Sequence, residues 1–250
     1  MSARPAGARK NAASPSGARR LPLEADKPHG ARREGEGAAP AESVLTDPRA
    51  WGRILPASFY ARPTEVVSRE LLGAVMVSTV GGVLTAGRIV ETEAYLGETD
   101  PACHAVAGRT KRTWHLFGRP GIAYVYFTYG MHWCTCLVTE REGWGSAVLI
   151  RALEPLAGHA AMYRRRGRVA TRDALLMSGP GRLSQAMALD GAADGVPLTR
   201  GALVIRAGAP LEEPRVAVTP RIGIGARNAA FAWPLRWVER ESAWTSRWVR

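Results

Sequence analysis

The chain has 250 residues, 46% of them hydrophobic, and a formal net charge of +12 from 34 Lys/Arg against 22 Asp/Glu. That is enough apolar material for a real core in one or two domains, which excludes a small stapled scaffold, and the basic balance points to a polyanionic partner. An odd number of Cys, three, and no apolar leader set a reducing cytoplasm as the expected compartment, and no run reaches the ~18 apolar residues of a membrane span.

Residues 1–47 contain no Phe, Trp or Tyr and are rich in Ala, Gly, Pro, Ser and Arg. Such a segment cannot bury enough apolar area to offset its ordering entropy, so it reads as a disordered basic tail. Eight Lys/Arg and six Asp/Glu fall in it, so residues 48–250 keep a formal +10 and the basic character belongs to the fold.

Glu65–Leu72 has helical apolar spacing and stops at Gly73. Val75–Val80 and Val83–Tyr95 read as two strands joined at Gly81-Gly82, a hairpin signal. Further β-rich runs are Ile122–Thr128, Ala147–Ala152, Ala202–Arg206 and Leu235–Val238, with a helix predicted over Ser184–Leu189. Gly- and Pro-rich connectors separate them without a fixed period. The expected fold is α+β: a single compact domain over 48–250, with a largely antiparallel sheet and surrounding helices.

Glu91, Glu93 and Tyr95 share one face at the end of the long predicted strand, because side chains alternate with a period of two. A solvated face is the ordinary reading of such a pattern. Against it, Ile89, Val90 and Leu96 set this strand end beside the core. A carboxylate there has its pKa raised by desolvation and can act as a general base near neutral pH.

Tyr124, Tyr126, Phe127 and Tyr129 crowd six residues. Strand aromatics are ordinarily core, the natural reading of Tyr124. Tyr129, next to Gly130 and Met131, reads as an exposed wedge, and the group as a whole suits stacking on nucleobases in a basic protein. A zinc site from His104, His132, Cys134 and Cys136 is set aside, because one residue between the Cys is too few for structural zinc spacing and no second pair exists; the thiols read as small buried hydrophobes. Ser178-Gly179-Pro180-Gly181, followed by Arg182 before the predicted helix, is a weak phosphate-loop candidate.

Taken together, Gly87–Gly97 (GRIVETEAYLG), His104 eleven positions after Glu93, Tyr124–Met131 (YVYFTYGM), Arg151–Pro155 (RALEP), Ser178–Gln185 (SGPGRLSQ), Arg221–Gly225 (RIGIG) and Pro234–Trp237 (PLRW) resemble, in order, the alkyladenine (3-methyladenine) DNA glycosylase family. The resemblance runs from near Ile54 to the C-terminus. It implies a monofunctional enzyme, a monomer without metal or cofactor, that flips alkylated or deaminated purines out of duplex DNA and hydrolyses their N-glycosidic bond with no lyase step. By the same resemblance Glu93 activates the attacking water, which Arg151 and a backbone carbonyl at Ile222 help to hold. Tyr95 and His104 lie against one face of the flipped base and Tyr126 against the other. Tyr129 enters the duplex. Met131, beside it on the same turn, is a further candidate for entering the duplex, and Arg182, after the Ser178–Gly181 loop, for contact with the DNA backbone. An N-alkylated purine carries positive charge, which an electron-rich aromatic pocket favours. One position departs from the family pattern: Cys136 stands where a base-contacting Asn is common, which bears on substrate range.

Two other classes fit the residues less well. A non-catalytic nucleic-acid-binding protein would not need Glu93. A carbohydrate hydrolase could use Glu91 and Glu93 as a pair, since same-face neighbours on a strand lie ~6.5–7 Å apart, but the basic core and the aromatic wedge argue against a sugar substrate.

Overall fold

The computed structural model describes residues 51–246, so the predicted tail over 1–47 lies outside the described residues. Eight strands form one sheet: β1 (Val75–Ser78), β2 (Thr85–Leu96), β3 (Ala123–Thr128), β4 (His132–Val138), β5 (Ser146–Ala157), β6 (Leu203–Arg206), β7 (Val216–Thr219) and β8 (Arg236–Glu239). The main order is β3-β4-β5-β2-β1-β6. β8 pairs with β2 at Glu91–Glu93, past the end of β1, and β7 pairs with β8. Every pairing is antiparallel. Among the described residues four short helices accompany the sheet: α1 (Ala57–Tyr60), α2 (Thr64–Glu70), α3 (His159–Arg166) and α4 (Pro180–Ala186). The architecture is α+β, as the sequence predicts.

Strand alternation sorts the side chains of β3, β4 and β5 onto two faces. Val125, Leu137, Val148 and Ile150 join the main core, under α2 and α4. Tyr124, Cys134, Cys136, Ala147 and Leu149 point the other way and build a second, smaller cluster with Leu116 and Phe117. Phe127 also obeys the alternation. It turns from the Tyr124/Tyr126 face, remains 44% exposed and packs on Trp133 with ring centroids 4.9 Å apart. The sequence reading had grouped it with the three tyrosines.

Long strand β2 changes face partway. Its register against β5 shifts between Ile89 and Glu91 and again between Glu91 and Thr92. An extra residue in one strand exchanges inward and outward positions beyond it. Ile89 and Ala94, of opposite parity, consequently share the main core, and Glu91, Glu93 and Tyr95 turn to the face of the second cluster. The bulge therefore lets one strand serve the core and present carboxylates on the other side.

Two sequence assignments change. The helix predicted at Ser184–Leu189 begins at Pro180 and ends at Ala186. Proline suits the first helical position, where its missing N–H is no loss and its φ is already helical. Arg182 therefore lies inside the helix rather than in a loop before it. Helices α1 and α3 and strands β4 and β7 are not among the predicted elements. α3 follows Gly158, which has no side chain to make a capping hydrogen bond.

Candidate active site

The second cluster forms the floor of a cleft of about 370 Å³, within the ~300–1,000 Å³ typical of small-molecule sites. Tyr95, His104, Tyr126, Cys136, Arg151 and Ile222 line it, and Tyr129 stands at its edge. The chain thus brings together residues from β2, β3, β4, β5 and the loop after β7.

Glu93 is fully buried just behind that lining. Its Oε1 accepts a hydrogen bond from the Ile222 N–H at 2.6 Å, and its Oε2 accepts from Arg151 Nη1 at 3.1 Å and the Tyr95 hydroxyl at 3.1 Å. All three partners line the cleft. The Ile222 N–H thus holds the carboxylate itself, a contact separate from the hold on water that the resemblance implied for the Ile222 carbonyl. Burial pushes the Glu93 carboxyl above the usual carboxylate range. The Arg151 charge and the bonds from Ile222 and Tyr95 offset this only in part.

Glu91 is equally buried but differently held. Its Oε1 accepts from Arg151 Nε at 2.9 Å, Arg236 Nε at 2.7 Å and Ser246 Oγ at 2.7 Å, and its Oε2 accepts from the Ser246 N–H at 2.6 Å. Burial acts to raise its pKa, yet the Arg151 and Arg236 charges and the Ser246 bonds outweigh it and hold the group below its ordinary value. One guanidinium, Arg151, bridges two carboxylates whose pKa values are driven apart. Groups split in this way take different roles. Glu91 is saturated with donors and fixes the arginine, while Glu93 is the one poised to take a proton. This sealed position of Glu91 also removes the paired-carboxylate arrangement a sugar hydrolase would need.

The aromatic walls pair differently from the order the resemblance implied. His104 Nδ1 and the Tyr124 hydroxyl share a hydrogen bond at 3.0 Å. The His104 ring meets Tyr126 edge to face, centroids 4.6 Å apart, and Tyr126 stacks on Tyr124 at 5.2 Å. His104 is thereby tied to the β3 wall, with Tyr126, and not to Tyr95. Tyr95 stands apart, backed by the Arg221 guanidinium 4.6 Å from its ring centroid. Burial, and then the nearby Arg112 charge, lower the His104 pKa and keep the imidazole neutral at pH 7.

Tyr129 is 82% exposed and Met131 68% exposed, at the tip of the β3–β4 hairpin. Tyr129 and Gly130 both have positive φ, 51° and 65°, and the Met131 N–H closes the turn on the Thr128 carbonyl. Two successive positive φ values are the geometry of the tight hairpin turn that favours Asn-Gly. A tyrosine in the left-handed region carries strain, and strain of this kind concentrates at functional sites.

The sequence reading missed Asp100, Arg221, Arg236 and Ser246. Arg221 Nη2 donates to Asp100 Oδ1 at 2.8 Å and Nη1 to the Ala94 carbonyl at 2.9 Å, so this pair stiffens the backbone under Tyr95. Arg221 and Arg236 lie within motifs already noticed, but nothing in their spacing identifies their partners. Cys103, Cys134 and Cys136 are buried thiols, and burial pushes Cys103 up to about 11. Among the described residues no group of three or more His, Cys, Asp or Glu converges as a metal site. No helix among them is long and apolar enough to cross a membrane.

The chain is similar to known proteins over most of its length. The family model described as methylpurine-DNA glycosylase matches residues 58–243. Three curated relatives each carry the name "Putative 3-methyladenine DNA glycosylase". The one from Myxococcus xanthus is 46% identical over 193 residues, 77% of this chain and 93% of the relative. That from Carboxydothermus hydrogenoformans is 45% identical over 195 residues, 78% of this chain and 99% of the relative. That from Methanocella arvoryzae is 42% identical over 195 residues, 78% and 96% of the two chains.

Proposed function

The chain belongs to the methylpurine-DNA glycosylase family, and we propose that it excises alkylated or deaminated purines from duplex DNA with a water activated by Glu93. The observation that carries this reading is the buried Glu93 carboxylate behind an aromatic cleft, held by Arg151, Tyr95 and Ile222 and raised in pKa by burial. A base with a raised pKa takes a proton more readily in the transition state, and Arg151 keeps the carboxylate oriented.

In the proposed reaction the damaged nucleotide is extruded and its base enters between Tyr95 on one side and the His104/Tyr126 wall on the other. Tyr129 fills the space left in the stack, offsetting part of the few kcal/mol that unstacking costs. Water attacks C1′ of the deoxyribose as the C1′–N bond breaks. Its proton passes to Glu93, the purine leaves with the bonding electron pair, and an abasic site remains. An N3- or N7-alkylated purine is already cationic, so it leaves as a neutral base; a neutral deaminated purine leaves as an anion and takes up a proton from solvent. With water as the nucleophile the product is an abasic site, and no lyase step is expected.

The test is single-turnover incubation with duplexes each carrying one lesion (hypoxanthine, 3-methyladenine, 7-methylguanine or xanthine), analysed with and without alkali. Strand cleavage only after alkali is expected. No abasic sites on any duplex would refute the reading, and cleavage without alkali would refute the absence of a lyase step.

A further inference from the structure

Four arginines are buried in the described fold: Arg151, Arg166, Arg221 and Arg236. Three are paired with carboxylates: Arg151 with Glu91 and Glu93, Arg221 with Asp100, and Arg236 with Glu91. Arg166 is the exception. Only 8% of it is exposed, its Nε is enclosed without a hydrogen-bond partner, and its Nη1 donates to the neutral Gln185 side chain. Among the described residues no carboxylate meets it. A buried cation without a counterion is costly and is rarely kept unless something else satisfies it.

Arg166 ends α3 and faces a second cleft of about 530 Å³, across from α4. Arg182 lines the same cleft, its Nη1 resting on the Ser178 hydroxyl at 3.0 Å, also with no acidic partner among the described residues. The two cations feel each other, since burial and then the Arg182 charge lower the Arg166 pKa. This second cleft shares Tyr129, Arg151 and Ile222 with the aromatic cleft, so the two are continuous past the wedge.

We propose that Arg166 and Arg182 form an anion site for one backbone phosphodiester of the DNA strand carrying the damaged base. A phosphodiester supplies the missing counterion to both guanidiniums, and it is the anion that must run beside a base drawn into the neighbouring cleft. Arg182 reaches it from the exposed side and Arg166 from below, where its stem is fixed by α3 and its fork geometry suits phosphate oxygens. The neutral Gln185 partner holds Arg166 in place without neutralising it.

This inference rests on the glycosylase reading for the identity of the strand, and its test requires binding only. The probe is a duplex containing a tetrahydrofuran abasic analogue, which cannot be excised, with a neutral methylphosphonate placed in turn at each of the five phosphates nearest the analogue. Binding is followed by fluorescence anisotropy for wild type, Arg166→Met, Arg182→Gln and the double variant. One methylphosphonate position is expected to weaken wild-type binding about tenfold, the scale of a charge-assisted hydrogen bond. At that position each variant should be less sensitive than wild type and the double variant insensitive, and the double variant should show a slope of log affinity against log salt shallower by about 0.9. Losses that add independently at all five positions, or a wild type sensitive at none, overturn the site. Arg182 is exposed, so its variant decides the question even if Arg166→Met fails to fold. If the excision assay is blank while the phosphate coupling is present, the glycosylase reading falls and the anion site stands.

Discussion

Replacing Glu93 with Gln tests the proposed chemistry most directly, and the structure sets the size of both expected effects. The carboxylate accepts three hydrogen bonds, one at Oε1 and two at Oε2. An amide can accept only on its oxygen. With that oxygen kept on the Ile222 N–H, the NH₂ group faces Arg151 and loses a charge-assisted bond worth about 1.5–3 kcal/mol. Opposing this, the substitution removes a carboxylate whose burial had raised its pKa, a group whose ionised form the fold disfavours. Arg151 meanwhile keeps its bond to Glu91. The net change is about 1–2 kcal/mol, or a few degrees in Tm for a domain of this size. Loss of a general base costs about 10²- to 10⁴-fold in rate. Single-turnover excision should therefore fall by at least about a hundredfold in a protein that melts within a few degrees of wild type and still binds duplex. Wild-type excision should rise with pH through an apparent pKa above the ordinary glutamate range, as Glu93 ionises, and Glu93→Gln should lack that limb. A rate within about threefold of wild type would remove Glu93 from the mechanism, because even the low end of general-base catalysis is larger.

Glu91→Gln should act on stability, costing about 3–5 kcal/mol by leaving Arg151 and Arg236 short of their shared counterion; a Tm unchanged from wild type would contradict this. Because the folded pKa of Glu91 is lowered, the stability it contributes is present above its unfolded pKa and lost as pH falls through the folded one. Acid titration of unfolding should therefore be shallower in Glu91→Gln. Tyr129→Asn suits the left-handed turn and should raise Tm slightly, by relieving about 1 kcal/mol of strain, while weakening lesion binding; a fall in Tm of several degrees would make Tyr129 a packing residue instead. Cys136→Asn places an amide on the cleft floor among the tyrosines and should change the ratio of hypoxanthine to 7-methylguanine excision, since a polar group that must find a partner discriminates more than a thiol. An unchanged ratio shows that position 136 does not read the base.

Much was legible from the chain alone because it depended on local pattern. Period-two alternation put Glu91, Glu93 and Tyr95 on one face of their strand and Tyr124 and Tyr126 on one face of theirs, and Gly81-Gly82 marked the hairpin of β1 and β2. The exposed turn was readable from Tyr129-Gly130, where turn chemistry is a property of adjacent residues. The tertiary structure decided what depends on residues far apart. Alternation cannot show that a bulge after Ile89 turns β2 from the main core to the cleft, since a bulge is visible only against its partner strand. Nor can spacing reveal that Arg151, some 58 positions from Glu93, divides itself between two carboxylates, or that Ser246 and Arg236 complete the shell around one of them. The identical residue type at 91 and 93 therefore acquires opposite pKa shifts for a reason outside its neighbourhood: burial acts to raise both, and the charges and hydrogen bonds that reverse it at Glu91 arrive from β5, β8 and the chain beyond it. The pairing of His104 with Tyr126, and the buried arginine without an acid at 166, have the same origin, because burial and counterions belong to the assembled fold and not to any one segment.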